Sequence, residues 1–298
     1  MKTLLSTRPA WTLSTLTTAA LALSSCSVDP PPATRMKLSQ TIEGKAITAL
    51  REGLRLTGEE NFWVSMHAAE GLTLGGLGAE VIEFVEPKLA TETDAQRLCG
   101  VARELVRAGK REHVAVLTEV LSRPDSHGHT HAAESLYKVN EVGDEAIMRE
   151  RFEKGGDIKL RLMAAAALAR RGDAGALAFI RESVAGSDPD GLQIGAWILG
   201  IIGDASDIEP LRKRLADAPS PMIHAYIVNA LAALGDAEGL RLLSRNLADP
   251  DPAIRTYAAT FAGDAKAYST QPQLEAMLDD PFQDARVRAA QTLLQLSQ

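Results

Sequence analysis

Cysteine and aromatic residues are scarce in this 298-residue chain: two of the first and 4% of the second. Two thiols, Cys26 and Cys99, cannot build a disulfide framework, and Cys99 reads as a buried structural thiol. So few aromatics leave little to stack on bases, and a formal net charge of −7 leaves no basic surface for a phosphate backbone. Residues 1–25 carry only Lys2 and Arg8 as charges, so their removal would take the chain from −7 to −9. Nucleic acid is thereby excluded as a partner. A Ser nucleophile elbow is missing, as is a phosphate-cradling glycine loop followed by Lys. The run Gly75-Gly76-Leu77-Gly78 reads instead as a helix-ending turn. No catalytic residue and no cofactor is expected, and the chain reads as a non-enzyme.

What the sequence has in abundance is Ala and Leu, within 45% apolar residues, enough to bury a large interior in an all-α fold. The later part is punctuated by Gly-Asp pairs at Gly143-Asp144, Gly172-Asp173, Gly203-Asp204, Gly235-Asp236 and Gly263-Asp264. A left-handed glycine ends one helix and the Asp caps the next, so each pair predicts a compact helix-to-helix turn. Asp-Pro junctions at Asp188-Pro189, Asp249-Pro250 and Asp280-Pro281 supply further helix starts. Apolar residues recur at i, i+3, i+4, i+7 and i+8, as in Leu160, Met163, Ala164, Ala167 and Leu168.

The segments MHAAEGLTLGG (66–76), LCGVARELVRAG (98–109), THAAESLYKVN (130–140), LMAAAALARRG (162–172), IGAWILGIIG (194–203) and YIVNALAALG (226–235) align at intervals of 32 residues. Short Ala-rich helix pairs of this length resemble the HEAT-repeat family, in the short bacterial form related to phycobilin-lyase-type repeats. The tetratricopeptide pattern of Trp, Gly, Tyr and terminal Pro is absent. The resemblance implies an all-α, right-handed α-solenoid of about seven to eight helix pairs over residues 38–298. Leu38 to Thr57 is expected to cap one end and the C-terminal helix to close the other.

The leader MKTLLSTRPAWTLSTLTTAALALSSC has a basic start, an apolar middle and an ending in LSSC. It resembles a bacterial lipoprotein signal over residues 1–25, which implies that Cys26 is lipidated after cleavage. Ser27 follows where an Asp would favour inner-membrane retention, which by the same resemblance favours the outer membrane. The apolar stretch is too short and Thr-rich to remain as a span. Residues 26–37 then form the lipidated Cys and a Pro-rich tether.

One stretch resists assimilation to the repeat. HGHTHAAESL (127–136) sets His127, His129 and His131 close to Glu134, a set that could hold a metal. Yet HAAESL repeats the HAAEGL that begins at His67, with Cys99 at the equivalent place between them. The register makes His131 a packing position, Thr130 the expected N-cap, and His127 and His129 loop residues. The deoxyhypusine hydroxylase family, also helical repeats, binds iron through His-Glu dipeptides, and this chain has none.

These readings converge on a lipid-anchored, extracytoplasmic scaffold whose concave face binds a protein or peptide. The alternatives are a metal- or ligand-binding protein using the 127–134 cluster, or an accessory subunit of an exported carbohydrate-processing system. Trp63 and Trp197, set in apolar patterns, read as core residues rather than sugar platforms.

Overall fold

A computed structural model describes residues 35–298, so the leader, Cys26 and most of the tether lie outside the described residues. Arg35 to Gln298 form one compact unit. It contains sixteen α-helices in eight consecutive pairs, as the repeat predicts. The pairs are α1 (Gln40–Leu54) with α2 (Phe62–Leu74), α3 (Gly78–Val85) with α4 (Ala95–Arg107), and α5 (Val114–Ser122) with α6 (His129–Lys138). Next come α7 (Glu145–Lys154) with α8 (Ile158–Ala169), α9 (Ala174–Ala185) with α10 (Pro189–Ile202), and α11 (Ile208–Ala216) with α12 (Pro221–Ala233). The last are α13 (Ala237–Asn246) with α14 (Pro252–Asp264), and α15 (Gln271–Met277) with α16 (Gln283–Ser297). Among the described residues no helix is long and apolar enough to cross a membrane.

The cap chemistry follows the predicted code at most turns. Gly143, Gly172 and Gly235 have φ of 69°, 95° and 87°, and Asp144, Asp173 and Asp236 accept from the first backbone amides of α7, α9 and α13. Two Gly-Asp pairs differ. Gly203 has φ −76°, so it is not left-handed; a Cβ there would lie 2.4 Å from the Leu199 carbonyl oxygen, and close approach is what requires glycine. Gly263 lies inside α14, where a Cβ would lie 2.7 Å from the Gln295 side chain, so this glycine serves helix contact rather than a turn. The Asp-Pro junctions also divide. Asp188 caps α10, whereas α14 is capped by Asp251 rather than Asp249, and Asp280 accepts from Phe282 ahead of α16.

The even-numbered helices form the inner layer, each packed on the next, and the odd-numbered helices lie outside them. The last pair does not end the array. Helix α16 packs on α14 and equally on α1 and α2, so the two ends of the solenoid meet. At this seam the Met36 amide donates to the Leu296 carbonyl (2.8 Å), the His67 ring to Asp284 (2.8 Å) and Arg288 to Glu70 (2.8 Å). Leu38 to Thr57 therefore closes a ring with α16 instead of capping a free end. The expected concave face is turned inward onto the ring's own side chains, which corrects the expectation that it lies open to a partner.

Candidate functional site

The four residues of the proposed metal cluster are not brought together. The His127 ring donates from Nε2 to Asp94 Oδ2 at 2.8 Å. His129 is buried and donates from Nε2 to the Arg123 carbonyl at 3.0 Å. His131 stacks on Trp63, with ring centroids 5.3 Å apart. Glu134 pairs with Lys138 Nζ at 2.7 Å. Among the described residues no three His, Cys, Asp or Glu side chains meet as ligands to one ion would.

The helix also starts two residues earlier than expected. Gly128, at φ 93°, precedes α6, and Thr130 lies inside it; a Cβ on Gly128 would lie 2.8 Å from Ala95, so the turn is pressed against α4. His129 is consequently a structural residue rather than a loop residue. His129→Ala should cost about 1–3 kcal/mol by leaving a cavity and an unpaired carbonyl. His127→Ala, at the exposed end of the turn, should cost less than about 0.5 kcal/mol. Thermal melts of the two variants check this, and the reverse ranking would contradict it.

The strongest concentration of functional groups lies on the inner layer, where charged residues interrupt the apolar helices. Glu70 of α2 accepts from Arg107 of α4 (2.9 Å) and Arg288 of α16 (2.8 Å). Arg107 also pairs with Glu104, and Arg103 joins the same carboxylate at 2.7 Å. Arg107, Lys138 and Arg170 stand in the last turns or at the C-caps of α4, α6 and α8, where the helix dipole favours cations. Tyr137 of α6 meets Trp197 of α10 edge to face, centroids 5.4 Å apart, and Lys138 lies 5.4 Å from the Trp197 ring centroid.

Electrostatics divide the carboxyls. Burial alone would raise Glu134, but Lys138 and Arg103 outweigh it and hold its pKa at about 2. Burial likewise opposes ionisation of Glu70, and Arg107 and Arg288 overcome it, leaving Glu70 well below the usual carboxylate range. Asp264, at the end of α14, is the opposite case. Burial first, and then Glu70, push its carboxyl up to about 7, against the pull of Lys138, Arg288 and Arg170. The residue nevertheless remains exposed, so its carboxyl is surrounded by protein yet reached by water. Burial also pushes the Cys99 thiol up to about 12, which suits an inert structural thiol.

A raised carboxyl pKa makes stability fall with pH. Below about pH 4 Asp264 is protonated in both states. Between about pH 4 and 7 the unfolded chain gives up its proton first, and above 7 the penalty is complete. Asp264→Asn should therefore match the parent at pH 4 and exceed its stability at pH 8. Because water screens the carboxylate, the expected gain is on the order of 1 kcal/mol. Urea unfolding at both pH values tests this, and a gain independent of pH would contradict it.

The family model of HEAT repeats matches residues 147–225 and 208–294. No curated protein matches the chain. Among solved structures it is similar to human deoxyhypusine hydroxylase in complex with glycerol, at 15% identity and a TM-score of 0.40, over 85% of this chain and 96% of that one. That neighbour is an enzyme, and the finding corrects the expectation of a non-enzyme: helical-repeat architecture is no ground for excluding catalysis. At that identity and score it assigns no residue or reaction to this chain, whose His67 and His131 are each followed by Ala. The protein is an all-α solenoid of eight helix pairs that carries HEAT repeats over residues 147–294.

Proposed function

We propose that the protein is a lipid-anchored scaffold of the bacterial cell envelope, held to the outer membrane through Cys26, whose helical-repeat ring binds a protein or peptide partner. The observation that carries the scaffold reading is the HEAT-repeat array itself, whose stacked pairs present a long, rigid surface. With the inner face occupied by its own ion pairs, the partner docks on the outer helices or the edges of the ring. Among the described residues the exposed large apolar side chains are Tyr257, on α14, and Phe282, just before α16, and these are the two positions to test first.

The anchor reading rests on the LSSC ending and the Pro-rich stretch after it. One acyl chain gives only marginal membrane binding, so stable attachment requires more than one on Cys26. Cys26→Ser should abolish lipid labelling and move the protein from the membrane to the soluble fraction. Persistence in salt-washed membranes would contradict the anchor. For the scaffold, in-cell cross-linking should yield a discrete adduct that disappears in a Tyr257→Ala/Phe282→Ala variant of unchanged melting temperature; adducts unaffected by the pair would place docking elsewhere.

A further inference from the structure

The charges inside the ring do not cancel. Glu70, Glu104 and Glu134 are all committed to Arg103, Arg107, Lys138 and Arg288. Arg170 of the neighbouring repeat has no carboxylate partner among the described residues. It donates Nη1 to the Tyr137 carbonyl at 2.7 Å and lies 4.9 Å from the centroid of the Tyr137 ring. Of its five donors, most are thus left for another group. The Tyr137 hydroxyl is buried with no hydrogen-bond partner, a state that costs about 1–3 kcal/mol unless something fills it. Arg170, Glu70, Lys138 and Arg288 act electrostatically on Asp264, which in turn acts on Tyr137, so groups from α2, α6, α8, α14 and α16 converge on one place, open to solvent at Arg170 and Asp264.

We propose that this end of the ring interior binds a small oxyanion, a carboxylate or a sulfate- or phosphate-like group, held by the free guanidinium donors of Arg170 and by the Tyr137 hydroxyl. Planar guanidinium donors suit an oxyanion, and the unpaired phenol supplies a further hydrogen bond. Asp264 ties occupancy to pH. Its ionised form repels the incoming anion, so the anion enters with a proton taken up by the carboxyl, whose free-state pKa is already about 7. Affinity therefore falls as pH rises through that value. The site is independent of whatever docks on the outside of the ring.

Isothermal titration of the full chain with sodium sulfate, against sodium chloride at equal ionic strength, tests the proposal, since sulfate does not itself titrate in this range. The expected result is saturable sulfate binding at pH 6 that weakens up to about tenfold at pH 8. Arg170→Gln should weaken it at least about tenfold, the loss of a charge-assisted contact. Tyr137→Phe, which keeps the ring and removes the unpaired hydroxyl, should weaken it several-fold with a melting temperature no lower than the parent's. Absence of saturable binding in the parent, or binding unchanged in Tyr137→Phe, overturns the proposal. Should Arg170→Gln melt early, Tyr137→Phe decides alone.

Discussion

Glu70→Ala should destabilise the protein by about 3–5 kcal/mol, the cost of breaking a buried pair and leaving charge uncompensated. Among the described residues Glu70 is the one carboxylate that joins α2 to both α4 and α16, through Arg107 and Arg288. Its removal leaves Arg107 with Glu104 alone, and Arg288 with only the Gln291 side chain, 2.7 Å away. Glu70→Gln, which keeps the shape and half the hydrogen bonding, should cost less. The pH dependence has a definite sign. Because the folded state depresses this carboxyl, its contribution is present above about pH 4.5 and is lost as pH falls toward the folded pKa. Urea unfolding followed by circular dichroism measures both. A cost under about 1 kcal/mol would mean that water screens the network as it does a surface pair.

Deleting α16 should abolish cooperative folding. In an open solenoid a terminal helix contacts one neighbour, and its loss removes one interface. Here α16 buries Ala285, Val287, Leu293 and Leu294 between α14 on one side and α1 and α2 on the other. The deletion would uncover both surfaces and take away the partners of His67 and Glu70. At about 1.5–3 kcal/mol for each large apolar side chain uncovered, the loss is comparable with the 5–15 kcal/mol that a domain has in total. A chain ending at Pro281 should show no cooperative melt. A sharp transition within a few degrees of the parent's would show that the ends stand independently.

The helices and most of their turns were legible because their causes are local. The 3.6-residue periodicity marks the buried faces, and a glycine followed by Asp marks a helix end followed by a start, as at Gly143, Gly172 and Gly235. The same dipeptide misleads at Gly263-Asp264, where the missing side chain makes room for Gln295, more than 30 residues away, and the helix runs on. Thr130 was a plausible cap, but packing of Gly128 against Ala95 sets the start of α6 instead. Ring closure was not legible at all. A repeat states that each pair stacks on the next; it does not state the small rotation per pair that decides whether eight of them meet. The interior charges were overlooked for a related reason, since a charge on an Ala-rich helix ordinarily reads as a solvated face. Their one available signal was register, because Glu70 and Glu134 fall at the same place two repeats apart within otherwise apolar helices.

The meeting of the two ends is the claim on which the interior site and the outward docking surface both depend, and a single distance tests it. Lys45 of α1 and Asp279, just after α15, are exposed and lie together across the seam, Nζ to Oδ2 at 2.5 Å. Spin labels placed there through cysteines in a Cys26→Ser chain would be free of interference from Cys99, which is buried and not readily ionised. Double electron–electron resonance on the labelled protein should give one narrow distribution centred below about 25 Å, set by the label arms. Eight pairs stacked about 10 Å apart in an open array would instead separate these positions by more than about 40 Å, and a distribution there would contradict the closed ring.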